Sequence, residues 1–104
     1  MVIRVMTFEG CPNCQAALDL VKETVRQLDV PIRIEAVTVN NAEQARRTGF
    51  LGSPTIHVDG HDIEPGRRHE AGSFTCRLYR TSTGMTGLPP RSLLESAIRE
   101  ALAR

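Results

Sequence analysis

The chain has no Trp and a single Tyr, and aromatic residues make up only 4% of it. So thin an aromatic set offers little for bases to stack on, which argues against a nucleic-acid platform. A charge excess of one sign is missing too: 13 Lys and Arg stand against 12 Asp and Glu, for a net +1. No field follows that would hold nucleic acid or an anionic membrane surface. Long apolar runs are also lacking. Met1 to Gly10 carry Arg4 and Glu9 and never build the core of a secretory signal, and nothing later approaches a membrane span. The expectation is a soluble, cytoplasmic protein. Cysteine is scarce and odd in number, three in all, so a disulfide framework is not expected and the thiols should be reduced or reactive. A length of 104 residues with 40% hydrophobic content supports one modest core. One domain spanning 1–104, with no separate substrate domain, is the expectation.

What is present is a pair of those cysteines in a telling place. Cys11-Pro12-Asn13-Cys14 lies where an apolar strand pattern gives way to an amphipathic helix pattern. Two thiols at this spacing, at a helix start, serve either as a dithiol redox centre or as a soft-metal clip.

Strand and helix signals alternate along the chain. Val2 to Phe8 is rich in β-branched residues and apolar apart from Arg4 and Thr7, as for a strand buried on both faces. Beyond Glu9-Gly10, the residues Cys14, Ala17, Leu18, Val21, Val25 and Leu28 recur at helical spacing. Pro12 suits the first turn of that helix, which must end before Pro31. Ile32 to Val39 reads as a second strand. Asn41 is placed to cap a short helix running through Thr48, which Gly49 closes. Thr55 to Val58 and His61 to Ile63 flank Asp59-Gly60, a strong hairpin signal. The last helix starts at Pro90 or at a capping box from Ser92 to Glu95, and buries Leu94, Ala97, Ile98, Ala101 and Leu102. Strand, helix, strand demands a parallel pair, and the hairpin must be antiparallel. The expected fold is α/β: a four-stranded mixed sheet flanked by helices, with a long loop before the last one.

The first strand leading into Cys11-Pro12-Asn13-Cys14, followed by Ser53-Pro54-Thr55 opening a hairpin with Asp59-Gly60 at its turn, resembles the thioredoxin and glutaredoxin superfamily. The resemblance covers residues 1 to 63 and the final helix. Gly52-Ser53-Pro54-Thr55, Cys76-Arg77-Leu78-Tyr79 and Gly87-Leu88-Pro89-Pro90 are further similar to small bacterial thioredoxin-like proteins linked by name with alkylmercury lyase. The chain does not match that lyase's catalytic domain, so the resemblance implies no organomercurial cleavage. It implies a thioredoxin-like domain with a connection to thiol or mercurial handling, and the superfamily resemblance implies a cis Pro54 packed against the dithiol; the expected function is a thiol-disulfide oxidoreductase that needs no cofactor. Cys11 is then the nucleophile and Cys14 the resolving thiol, with Pro12, Asn13, Ser53, Pro54 and Thr55 binding substrate. A free thiol titrates near about 8.5, and helix-start thiols in such motifs fall to about 3.5–7.5, so Cys11 is expected to be exposed and ionised.

The matches come with departures. Gly10 stands where thioredoxins carry an aromatic residue, and Glu64-Pro65-Gly66 stands where glutaredoxins carry a Gly-Gly pair that holds glutathione. Proline removes a donor and the carboxylate repels an anionic tripeptide. The expected partners are therefore a protein disulfide, paired as an extended peptide beside Thr55, and a thiol or protein electron donor. Two other functions stay open: soft-metal or mercurial binding through Cys11, Cys14 and Cys76, and a non-catalytic adaptor of the same fold. Cys76 itself reads either as a small buried hydrophobe beside Phe74 and Leu78 or as a third thiol on a loop folded over the dithiol. His57 and His61 flank the hairpin turn and are expected to face solvent, and Arg46-Arg47 and Arg67-Arg68 to be solvated surface.

Overall fold

A computed structural model describes residues 1–104. At its centre lies β1 (Val2–Thr7), whose alternation divides the core. Ile3 and Val5 enter one apolar cluster while Met6 enters another. In a strand, successive side chains point to opposite faces, so one β-branched run can feed two cores. Beside β1 lie β2 (Arg33–Thr38), parallel to it, and β3 (Thr55–Val58), antiparallel. The two-residue β4 (His61–Asp62) pairs with β3 and completes a four-stranded sheet in the order β2-β1-β3-β4.

The parallel crossover is made by α1 (Cys14–Leu28), which ends at Asp29 in the left-handed conformation, two residues before Pro31. Ala17 and Val21 of this helix share the larger cluster with Leu94, Ala97 and Ile98 of α3 (Arg91–Leu102). The opposite face is covered by α2 (Ala42–Thr48), which places Ala45 against Met6, Val39 and Phe50. Asn41 caps α2 as expected, its Oδ1 accepting from the Gln44 N–H at 2.8 Å, and Gly49 ends it at φ +74°. Asp59 and Gly60 both take positive φ, 48° and 84°. That is the conformation a two-residue hairpin turn needs to match the twist of its strands.

Several expectations shift. Helix α1 starts at Cys14, so Cys11 and Pro12 lie in the turn before it and not in its first turn. Pro90 precedes α3 in extended conformation and no side chain caps that helix, so the capping box from Ser92 to Glu95 does not form. The long connection holds a 3-10 turn at Pro65–Arg67 and a hairpin of β5 (Tyr79–Thr81) and β6 (Gly84–Thr86). No helix is long and apolar enough to cross a membrane.

Ile56 is fully buried on β3 in the larger cluster, facing both α1 and α3 through that core. Ile56→Ala should lower unfolding free energy by about 2–5 kcal/mol, the usual cost of such a cavity. The check is a urea midpoint shifted down at unchanged slope; a shift under about 1 kcal/mol would place the core elsewhere.

Candidate active site

The chain leaves β1 at Thr7, turns through Phe8 to Gly10 and enters α1 at Cys14, so Cys11 lies in the turn and Cys14 opens the helix. Cys11 N–H donates to Phe8 O at 3.3 Å and Cys14 N–H to Cys11 O at 3.4 Å, so the loop is tied to the end of the strand. Both thiols are free and half-buried, where Cys11 was expected to be the more exposed. They line one cavity of about 300 Å³ with Thr7, Phe8, Glu9, Gly10 and Thr38. Cys14 Sγ lies 3.4 Å from the hydroxyl of Thr7, donating its S–H to that oxygen.

Thr7 is only 7% exposed, on the face of β1 that carries Ile3 and Val5. A buried hydroxyl needs a partner, and Cys14 supplies it. The signal in the sequence was the one uncharged polar residue in an apolar strand. Phe8, one step on, points the other way and packs edge-on against Phe50 and Phe74, with ring centroids at 6.3 and 5.3 Å. An apolar wall therefore flanks the thiols, although Gly10 replaces the aromatic residue expected before the motif. Asn13 makes no cap bond. Gly87 lies against it: a Cβ there would fall 2.2 Å from Asn13 Nδ2, so a side chain at 87 would displace the Asn13 amide.

Ser53 and Pro54 stand at the start of β3, joined by a cis peptide bond. Ser53 Oγ accepts from Phe8 N–H at 3.2 Å, which brings this loop against the strand end beside the cysteines. The Ser53 backbone is already paired, its N–H donating to Thr75 O at 2.8 Å and its carbonyl accepting from Arg77 N–H at 3.1 Å. Thr55 turns its hydroxyl inward, donating to Gly52 O and accepting from Leu51 N–H.

Cys76 corrects both readings made of it. It is exposed, as are Phe74 and Leu78 at 42% and 54%, so no buried apolar trio forms. It lines a different cavity from Cys11 and Cys14, one of about 550 Å³ walled by Leu51, Glu64 and Arg80 among others. The three thiols are not assembled into a metal-ligand group, nor does any trio of His, Cys, Asp or Glu form one.

Sequence reasoning missed Arg77, the largest fully buried side chain. Its guanidinium grips Asp62 with two bonds of 2.7 and 2.8 Å, Glu64 at 2.8 Å and Thr55 Oγ1 at 3.3 Å, and lies 4.3 Å from the Tyr79 ring centroid. Burial alone would lower the pKa of this group, but the bonds to Asp62 and its neighbours outweigh that and raise it. Tyr79 donates its hydroxyl to Pro54 O at 2.6 Å, and burial pushes that phenol well above its ordinary range. Nothing in the sequence distinguishes Arg77 from the solvated arginines. Arg46 and Arg47 are indeed exposed, whereas Arg67 and Arg68 are half-buried in pairs with Glu64, Glu70 and Glu100.

His61 is exposed as expected, but His57 is not: it is 7% exposed, with Nε2 3.8 Å from Asp62 Oδ2. Burial holds its pKa below 6.5, against the pull of Asp62 and with the repulsion of Arg77 and Arg4.

A family model described as Thioredoxin domain matches residues 1–71. No curated protein and no solved structure matches the chain.

Two outcomes follow from the buried charges. Because His57 is held neutral in the fold, the unfolded chain takes up its proton first as pH falls. Its contribution to stability is complete above the unfolded value of about 6.5 and is lost as pH drops toward the folded value. Urea unfolding from about pH 7.5 to about pH 5.5 should show that loss, and His57→Asn should remove that part of the slope. An unchanged slope in the variant would mean that another group titrates. Arg77→Leu strands Asp62 and Glu64 beside an apolar side chain and should cost about 3–5 kcal/mol, read as a lowered urea midpoint. A loss below about 1 kcal/mol would mean that the carboxylates find water instead.

Proposed function

The chain belongs to the thioredoxin domain family, whose model matches residues 1–71 of its 104, and from that premise we propose that it is a cytoplasmic thiol-disulfide oxidoreductase working through Cys11 and Cys14. The observation that carries the reading is the dithiol itself: two free thiols in one open cavity at the start of α1, with Cys14 bonded to a buried hydroxyl. The amino-terminal end of a helix favours negative charge, which suits a thiolate nucleophile there.

The roles divide by position. Cys11, in the turn ahead of the helix, attacks a disulfide sulfur as thiolate, forming a mixed disulfide while the partner's other sulfur leaves and takes a proton. Cys14 waits one turn further in, its proton held toward Thr7 Oγ1. On losing that proton it attacks the Cys11 sulfur and releases the second thiol. The Cys11–Cys14 disulfide forms as the partner gains two electrons. A dithiol donor restores the pair by the reverse exchange. Phe8, backed by Phe74, keeps one side of the cavity apolar, which favours an uncharged partner surface there.

The test is a pair of variants with a redox titration. The disulfide should form reversibly with a potential between about −270 and −120 mV in a thiol-disulfide buffer. Cys11→Ser should abolish turnover, and Cys14→Ser should accumulate a mixed disulfide on Cys11 that is visible as added mass. A pair that stays reduced across that range, or turnover that survives in Cys11→Ser, defeats the assignment.

A further inference from the structure

The backbone beside the dithiol is closed by the chain's own residues. Pairing an extended peptide onto a strand needs free N–H and C=O groups at its edge. The strand end nearest the thiols is Ser53, which holds Phe8 N–H through its hydroxyl. Its N–H and C=O are both spent on Thr75 and Arg77, in a parallel bridge centred on Cys76.

This segment is anchored along its whole length. Gly72 lies so close to α2 that a Cβ there would fall 2.0 Å from Ala45 O. Ser73 N–H donates to Phe50 O at 2.7 Å, and Phe74 packs on Phe8 and Phe50. The Arg77 side chain is sunk between Asp62 and Glu64, and Tyr79 bonds Pro54 O. Gly52, at φ +120°, allows the approach, since a Cβ there would sit 3.0 Å from the Arg77 backbone. Every one of the anchoring residues from 72 to 79 lies beyond the part matched by the family model.

We propose that Ser73–Tyr79 is a built-in strand filling the peptide-pairing edge beside Pro54, which restricts the dithiol to compact, low-molecular-weight disulfides. The proposal rests on the oxidoreductase reading and names its substrate class. Such a disulfide, RSSR, enters the cavity of about 300 Å³ between Phe8, Thr38 and the thiols, a size at the small end of ligand sites. Cys11 thiolate takes one RS group and expels the other as RSH once protonated. Cys14 then frees the second RSH, leaving Cys11–Cys14 oxidised and RSSR reduced by two electrons. A small dithiol regenerates the pair. An extended polypeptide must first lift the strand, breaking both Ser53 bonds.

The experiment is a single-turnover comparison on the full chain, reduced beforehand. One probe is bis(2-hydroxyethyl) disulfide. The other is a ten-residue unstructured peptide whose central Cys carries the same 2-hydroxyethylthio group. Each rate of Cys11–Cys14 oxidation is normalised to that probe's rate with free dithiothreitol, which removes intrinsic reactivity. The normalised rate should be at least tenfold higher for the small disulfide, and the Ser53 and Arg77 amides should exchange slowly in deuterium oxide. Tyr79→Phe, which keeps the ring and deletes one anchor, should speed both exchange and the peptide reaction severalfold while the small disulfide stays within twofold. Equal normalised rates for the two probes in the unmodified protein, or rapid exchange of those amides, would overturn the built-in strand alone. Oxidation by neither probe would overturn the dithiol reading beneath it.

Discussion

One guanidinium holds together parts of the chain that share no local sequence relation. Arg77 is buried completely, and taking a charge out of water costs several kcal/mol unless partners replace the solvent. Here two carboxylates, one hydroxyl and the face of Tyr79 do so, and only Nε is left without a bond. Those partners belong to the last residue of β4, the turn after it, the first residue of β3 and the first residue of β5. The same residue's backbone closes the Ser53 edge, so the ion pairs and the strand cover stand or fall together. With Phe74 and Tyr79, the buried Arg77 pins the segment from 72 to 79 beside Pro54.

The site itself is a product of strand alternation. Thr7 and Phe8 are adjacent, yet one faces the α1 side and bonds Cys14 while the other faces the α2 side and meets Phe50 and Phe74. A polar contact and an apolar wall thus arise on the two sides of one strand end. The cysteines gain a hydroxyl partner from the first and a sheltered approach from the second. Asn13 and Gly87 close the arrangement from the loop before α3, the Asn13 amide lying over the Gly87 backbone.

Much of the scaffold was legible because its signals are local. The Asn41 cap, the Gly49 stop and the positive-φ turn at Asp59-Gly60 each depend on one or two residues and their own backbone. Helix starts and long-range contacts are where local reasoning failed. The Ser92 capping box lost to an extended Pro90, and α1 began at Cys14, three residues after the first thiol. His57 looked like a hairpin-flank residue facing water, but its face of β3 is covered by the Gly49 turn: a Cβ at 49 would meet His57 Cε1 at 3.5 Å. Cys76 was weighed as core or as a third thiol; its bridge to Ser53 instead leaves it at the surface of another cavity.

What the sequence determined alone is the order of the four sheet strands and three helices, without the β5-β6 hairpin, and the place of the two cysteines at the junction between β1 and α1. Periodicity, proline and glycine carry that information within a few residues, and no tertiary contact is needed to read it. What only the tertiary structure decided is which polar groups face which partners: Thr7 to Cys14, Tyr79 to Pro54, and Arg77 to Asp62 and Glu64. A buried hydrogen bond is selected by the cost of leaving its groups dry and unpaired. That cost exists only once the chain has closed around them, so no pattern along the sequence announces it.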